Sequence, residues 1–218
     1  MLTIKNTVII AAVGFLLVFT GMAYLAADYL QFRSGGNPVK DIDYDLLHEG
    51  DVIFRKGRSM ESYAVYLLDP ARKFSHTGMI VFRNGNPFVV HVVPGKKDLH
   101  GDTVRLESVN AFISGEKASS FAVYRPLLNE ADRHRAAEAA MRYYRSGVLF
   151  DHDYDLATEE RLYCTELVYK AFKSAGLRFN DMELSTVDLG VIRRDILLPG
   201  DLLKNTSFQI IINNSFTN

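Results

Sequence analysis

The stretch LYCTELVYKAF, residues 162–172, holds the only cysteine of the chain, Cys164, at the start of an amphipathic helical pattern. A single cysteine excludes a disulfide within the chain and a metal site built from several thiolates. At a helix start, free N–H groups and the positive end of the helix dipole lower a thiol pKa and favour a nucleophile. The alternative is a core cysteine, because Leu167 and Val168 begin an apolar helix face.

The composition around this helix suits one globular domain with an N-terminal appendage. The chain has 218 residues and a formal net charge of −1, so it lacks the basic surplus that nucleic-acid binding requires. We expect a membrane anchor over residues 1–30, a linker over residues 31–40 and a catalytic domain over residues 41–218.

The appendage is an uncharged apolar run over residues 7–27, long enough for a helix to cross a bilayer. Lys5 precedes the run and Asp28 follows it, which predicts a single-pass protein with a cytoplasmic N-terminus and an extracytoplasmic domain. A signal peptide cleaved after Ala27 is the alternative, although Leu25 suits a cleavage site poorly. With no cysteine near this segment, a lipoprotein anchor is excluded.

The domain alternates between strand and helix patterns, with strands grouped in the middle. Two apolar runs flank Asn84-Gly85, a dipeptide typical of a tight β-hairpin. These features predict an α+β fold around a central antiparallel sheet. The expected strands are residues 51–55, 76–82, 87–93, 103–106, 121–125 and 208–212, and the expected helices are residues 60–68, 130–144 and 164–175.

Two histidines of the expected hairpin supply a base for the thiol. His76 begins the first strand and His91 lies on the second. In a tight hairpin, residues that face each other have numbers with the same sum as the two central turn residues. That sum is 169 for Asn84 and Gly85 and 167 for His76 and His91, so the two histidines are nearly opposite. One ring would accept the Cys164 proton while the other holds its far nitrogen. The alternative is a pair of ordinary strand histidines.

Other motifs carry less weight. His48, His100 and His134 fall in loop-like or exposed helical contexts and are expected to be solvated. The run beginning at Asp151 opens like a calcium loop, but Leu156 and Leu162 occupy the glycine and glutamate positions. A serine hydrolase elbow, G-x-S-x-G, is absent from the sequence. No cofactor or metal is implied.

Four motifs in order resemble the permuted NlpC/P60 hydrolases, specifically the YiiX-like branch: GDVIF (residues 50–54), SHTGMI (75–80), FDHDY (150–154) and YCTELV (163–168). The resemblance implies a circularly permuted papain-like fold with Cys164 as nucleophile, His76 as base and His91 as the residue that orients the base. The YiiX-like branch more often carries an acidic residue in place of His91, which leaves the substrate subclass open.

These roles predict a membrane-anchored cysteine hydrolase that cleaves an amide bond of cell-wall peptide or a related acyl-amide through a thioacyl intermediate. Tyr154 and Tyr163 are candidate oxyanion donors, although a core role is the alternative for each, and Glu166 is expected to be structural. A lipid-directed acyltransferase or thioesterase, and a catalytically inactive binding module, are the alternative functions.

Overall fold

The computed structural model describes residues 4–35, 42–95, 102–177, 182–188, 190 and 193–214. The chain divides into two compact units, Met1–Gly35 and Gly36–Asn218. The first unit is helix α1, Ile4–Ser34.

Helix α1 contains the run that the sequence predicts to be a membrane anchor. The side chains of residues 4–17, which include the first half of the run at residues 7–27, lie outside the described part of the structure. Within the described residues, no helix combines the length and the apolar character that a membrane span requires.

The second unit is built around ten strands and five helices in its described ranges. A single 3-10 turn, Tyr44–Leu46, precedes them. The strands are β1 Val52–Gly57, β2 His76–Arg83, β3 Asn86–Val92, β4 Val104–Ser108, β5 Ala118–Pro126, β6 Leu149–Phe150, β7 Arg161–Leu162, β8 Ser185–Asp188, β9 Arg193–Ile196 and β10 Phe208–Asn213. The helices are α2 Met60–Leu68, α3 Val109–Phe112, α4 Glu130–Arg145, α5 Cys164–Ser174 and α6 Pro199–Asn205.

Six strands form one sheet in the order β10-β5-β1-β2-β3-β4, with every neighbouring pair antiparallel. The β2–β3 hairpin turns at Asn84 and Gly85, whose φ angles of 50° and 77° are both positive. Positive φ at both central residues is the signature of the turn that matches strand twist, which explains the Asn-Gly dipeptide. The central antiparallel sheet is therefore as predicted.

Both faces of the sheet are covered, which explains why its inner strands are apolar without alternation. On one face, Val52 and Phe54 of β1 pack with buried residues of α4 and α5. On the other face, Ile53 packs with Val109 and Phe112 of α3. The sheet is thus the middle layer of the domain, and its strands position side chains toward both outer layers.

The longer helices begin where local chemistry predicts. The Asn129 side chain caps α4 by accepting the Asp132 N–H at 2.9 Å, and the Ser59 side chain caps α2 by accepting the Ser62 N–H at 3.1 Å. Both caps satisfy N–H groups that a helix start leaves free.

The short elements were not predicted from the sequence. These elements are only two to seven residues long: helices α3 and α6 and the strands of two small sheets, β6–β7 and β8–β9. Such segments are too short to show a period, and tertiary contacts determine their conformation. Strand β4 also runs on to Ser108, two residues past the expected end, and so includes Glu107.

Candidate active site

Cys164 is the first residue of α5 and is partly exposed. The helix is anchored by its buried face, which includes Leu167, Val168 and Phe172 and packs on β2 and β3. Because this packing fixes the helix axis, the thiol stands at a defined point where N–H groups are free.

Burial raises the pKa of the Cys164 thiol above its ordinary value. The backbone N–H groups of Thr77, Thr165 and Cys164 itself act in the opposite direction, as does the positive charge of Arg55. The expectation of a lowered thiol pKa at this helix start is therefore wrong, because desolvation outweighs the helix dipole and the N–H donors. The Cys164 thiol is therefore neutral at neutral pH.

The structure joins the two hairpin histidines directly. Nε2 of His76 lies 3.0 Å from Nδ1 of His91, and the rings meet edge to face at 80° with centroids 5.1 Å apart. The strand register pairs Met79 with Val90, a sum of 169, so the two histidines are diagonal neighbours.

Gly78 makes room for this pair. A Cβ atom at position 78 would lie 2.5 Å from Cγ1 of Val89, 2.8 Å from the carbonyl oxygen of Val90 and 2.9 Å from Cβ of His91. Real Cβ atoms do not approach other atoms so closely. The Val90 oxygen belongs to the backbone of β3 and the His91 Cβ is attached to it, so a side-chain rotation would not relieve these two contacts. The glycine in SHTGMI therefore allows β3 to lie close enough for the two rings to meet.

Three further residues surround the histidines, and none was predicted from the sequence. Phe112 stacks on His76 with centroids 5.5 Å apart and meets the edge of His91 at 5.0 Å. Arg55 lies with its guanidinium carbon 4.3 Å from the Phe112 centroid and donates from Nη1 to the Phe112 carbonyl at 2.6 Å. Glu107 places Oε2 3.5 Å from Nε2 of His91.

Arg55 gave a weak signal in the sequence, because it ends the expected strand of residues 51–55 directly after three apolar residues. A cation is rarely buried without a partner. The residue is 8% exposed, and burial lowers its pKa to about 10, so the guanidinium stays charged at neutral pH. Glu107 gave no comparable signal, because the expected strand ended before it.

Both histidines are neutral at neutral pH. Burial, the charge of Arg55 and the neighbouring ring lower the pKa of His76 well below its ordinary value. Burial also lowers the pKa of His91 to about 4, although Glu107 acts in the opposite direction. A neutral imidazole is the form that accepts a proton, while the lowered pKa also makes His76 a weaker base than a solvated histidine.

The structure links Cys164 to the histidine strand through the N–H of Thr77, the residue after His76. The direct transfer of a proton from Cys164 to His76, and the catalytic roles of all three residues, stay predictions. The arrangement itself consists of a thiol at a helix start, a neutral imidazole pair and a buried cation.

A family model for permuted papain-like amidase enzymes of the YaeF/YiiX type, the C92 family, matches residues 46–190. This segment is more than half of the chain and contains Cys164, His76 and His91. The chain belongs to the permuted papain-like amidase family.

Two known proteins are similar to this member of the amidase family. An uncharacterized protein YiiX of Escherichia coli strain K12 is 29% identical over 137 residues, which is 62% of this chain and 62% of that relative. A solved structure, described as the metalloprotein yiiX from Escherichia coli O157:H7, is similar with a TM-score of 0.61 and 23% identity. That match covers 76% of this chain and 97% of the other, and it shows a shared fold.

Among the candidate oxyanion donors of the amidase fold, Tyr163 is a core residue. Its hydroxyl accepts the Leu197 N–H at 3.1 Å, and burial raises its pKa. Tyr154 has a positive φ of 55°, and burial raises its pKa with Cys164 among the nearby groups. Among the described residues, the Tyr154 hydroxyl has no hydrogen bond to a backbone group, in contrast to the Tyr163 hydroxyl.

Glu166 is structural, as expected. It is buried, accepts the Tyr163 N–H at 3.2 Å and pairs with Lys170 at 2.9 Å. Its carboxylate thereby closes the first turn of the Cys164 helix and fixes the helix start.

The remaining candidates lie apart from the histidine pair. His48 and His134 are exposed, and His100 lies outside the described residues. The Asp151 carboxylate accepts the N–H groups of Asp153 and Asp155 at 2.8 and 2.6 Å, so it closes a turn of the protein's own backbone.

Proposed function

We propose that this protein is a cysteine hydrolase that cleaves an amide bond through a thioacyl intermediate, with Cys164 as nucleophile, His76 as base and His91 as the residue that orients the base. The observation that carries the proposal is the 3.0 Å contact between Nε2 of His76 and Nδ1 of His91. Thiol acyl transfer requires a base that a second polar group orients and a thiol near that base. The histidine pair supplies the oriented base, and the N–H of Thr77, the residue after His76, acts on the Cys164 thiol.

The first chemical step follows from the protonation states. Because the thiol and both imidazoles are neutral at rest, His76 takes the thiol proton as the sulfur attacks the carbonyl carbon. The carbonyl oxygen becomes an oxyanion, and the N–H of Cys164 at the helix start donates to it. His76 then gives the proton to the leaving amine as the C–N bond breaks.

The second step regenerates the enzyme. His76, again neutral, takes a proton from water as the water oxygen attacks the thioacyl carbon, and the thiol leaves with that proton. Tyr154 is a candidate for a second oxyanion donor, because its partly buried phenol stays protonated and lies near Cys164.

The substrate we propose is an amide of cell-wall peptide or a related acyl-amide. Membership in a family of permuted papain-like amidases supports the reaction class. A lipid ester is the competing substrate, because a thiol assisted by the same pair of histidines is equally suited to attack an ester carbonyl.

The experiment that tests the proposal compares peptidoglycan fragments with lipid esters, using the full-length chain and its Cys164→Ser and His76→Gln variants. His134→Gln serves as the matched control, because His134 is an exposed histidine on α4. We expect the full-length chain and the control to cleave the amide and both site variants to lose this activity. Cleavage of the ester alone would assign the protein to lipids, and turnover by Cys164→Ser would refute the thiol mechanism.

We also propose that residues 7–27 anchor the protein in a membrane, with the catalytic domain on the extracytoplasmic side. The uncharged run between Lys5 and Asp28 supports this proposal. Anchored protein stays with membranes through a carbonate wash and keeps its N-terminal residues. A mature N-terminus at Asp28 would show instead that the segment is a cleaved signal peptide.

We assign no metal to the proposed site, although the solved relative is described as a metalloprotein. In the described ranges, no three His, Cys, Asp or Glu side chains are grouped so that they could hold a metal ion.

A further inference from the structure

Glu107 stands behind the histidine pair, on the side away from His76. Strand β4 pairs with β3 so that Glu107 is opposite Val89 and Arg105 is opposite His91. Glu107 is therefore a diagonal neighbour of His91 on the same face of the sheet. Its Oε2 lies 3.5 Å from Nε2 of His91, longer than an ordinary hydrogen bond but within the range of a direct electrostatic contact.

The Glu107 carboxylate is held in place from its outer side. Nζ of Lys117 donates to Oε1 at 3.1 Å and to Oε2 at 3.0 Å. The proximity of His91, followed by that of Lys117, lowers the pKa of Glu107 to about 2, against the effect of burial. At neutral pH this group is an anion, so it accepts hydrogen bonds and donates none.

An anion at this point selects one tautomer of His91. The ring is neutral, so only one of its two nitrogens carries a proton. In the described part of the chain, Nε2 of His91 is buried and has no other hydrogen-bond partner. A proton on Nε2 faces the carboxylate favourably, whereas a lone pair there would face a negative charge in a buried environment.

The tautomer of His91 determines the tautomer of His76 through the 3.0 Å contact between the two rings. With the proton of His91 on Nε2, its Nδ1 is an acceptor, and Nε2 of His76 must then carry the proton that is donated to it. Nδ1 of His76 is consequently left unprotonated. The opposite choice would protonate Nδ1 of His76 and remove its capacity to accept a proton at that atom.

We infer that Glu107 is a positioning residue that sets the tautomers of both histidines, so that Nδ1 of His76 is the atom that accepts the thiol proton. The inference rests on the proposed function for its catalytic consequence, while the tautomers themselves do not depend on it. Burial, assisted by the charges of Arg55 and Arg105, keeps His91 neutral beside the Glu107 anion.

The test measures the tautomers directly in the full-length chain with ¹⁵N-labelled histidine. Ring-nitrogen chemical shifts separate protonated from unprotonated nitrogens, and the His76→Gln and His91→Gln variants assign the signals. We expect protonated Nε2 and unprotonated Nδ1 in both rings. A His91 ring protonated on Nδ1 in the unmodified chain would overturn the inference.

Two variants of position 107 then show whether the carboxylate is the cause. Glu107→Met removes the acceptor at similar length, and both rings should populate the second tautomer, with kcat lower by about tenfold or more and KM nearly unchanged. Glu107→Gln retains a neutral acceptor oxygen and keeps the volume, so it should fold like the parent and show a smaller change. Glu116→Met is the matched control, since Glu116 is an exposed acid next to Lys117.

The outcomes distinguish this inference from the proposed function. Unchanged tautomers in both Glu107 variants would overturn the role of Glu107 even if the protein hydrolyses amides. If the unmodified chain has the expected tautomers and they change in Glu107→Met, the positioning role of Glu107 is supported even if no substrate is cleaved.

Discussion

Nε2 of His76 lies 3.0 Å from Nδ1 of His91, in a buried layer between the sheet and Phe112. This contact occupies Nε2 of His76 and Nδ1 of His91, so neither nitrogen is available to another group. What remains available for chemistry is Nδ1 of His76, on the strand whose next residue, Thr77, directs its N–H to the Cys164 thiol.

The two histidines are expected to differ in their effect on turnover. His76→Gln removes the proton acceptor, and we expect a loss in kcat of about 100-fold or more. His91→Gln leaves the base in place but less well oriented, with a loss nearer to tenfold. Steady-state kinetics of both variants on one amide substrate measure the difference, and equal, unmodified rates would mean that the pair is structural.

Gly78→Ala should disrupt the histidine pair. The added Cβ would lie 2.5 to 2.9 Å from atoms of Val89, Val90 and His91, and overpacking of this kind costs about 1–3 kcal/mol in the free energy of unfolding. Urea unfolding measures the loss, and histidine ring NMR reports the contact. Gly115→Ala is the control, because a Cβ at Gly115 meets nothing within 4 Å; an equal effect of the two substitutions would contradict the prediction.

The raised thiol pKa predicts how Cys164 reacts with alkylating agents. Since the folded-state pKa is above the ordinary value, the folded chain holds less thiolate at a given pH than the unfolded chain does. Alkylation at neutral pH should be slower in the folded protein than in denaturant, and it should accelerate as the pH rises. Mass spectrometry measures the rate at one site, because the chain has a single cysteine. Faster alkylation of the folded protein would show instead a preformed thiolate.

The depressed pKa of His91 predicts a change of stability with pH. The pKa of His91 is about 4 in the folded state, against an ordinary value of about 6.5 in the unfolded chain. As the pH falls from 6.5 to 4, the unfolded chain therefore binds a proton that the folded chain excludes. This difference lowers the free energy of unfolding by roughly 3 kcal/mol. The contribution is present above pH 6.5 and is lost toward pH 4.

His91→Gln removes this effect, because a glutamine does not titrate. It also weakens the lowering of the pKa values of His76 and Glu107, which changes the acid dependence of stability in the same direction. Glu166 acts with the opposite sign, since burial raises its pKa to about 7 and its contribution is lost as the pH rises toward 7. This second effect is common to both proteins and cancels in the comparison. Unfolding free energies measured by urea titration should fall more steeply with acid in the parent chain, and parallel curves would contradict the assignment.

Local sequence patterns determined much of the fold. Asn84-Gly85 specified the hairpin because both positions require positive φ, and the Ser59 and Asn129 caps specified where two helices begin. The hairpin in turn brought His76 and His91 close together, since a tight turn converts sequence numbering into spatial register.

Only the tertiary structure decided what surrounds these residues. The desolvation that reverses the expected Cys164 pKa depends on atoms from several elements, and a helix start considered alone does not include it. Glu107, Arg55 and Phe112 reach the histidines from three different elements, β4, β1 and α3. Turns and caps are determined by neighbours within a few residues of the chain, whereas burial and electrostatic contacts depend on how distant segments pack. Short-range sequence patterns therefore brought the candidate site residues into view, and the packing of the sheet and its outer layers determined their protonation.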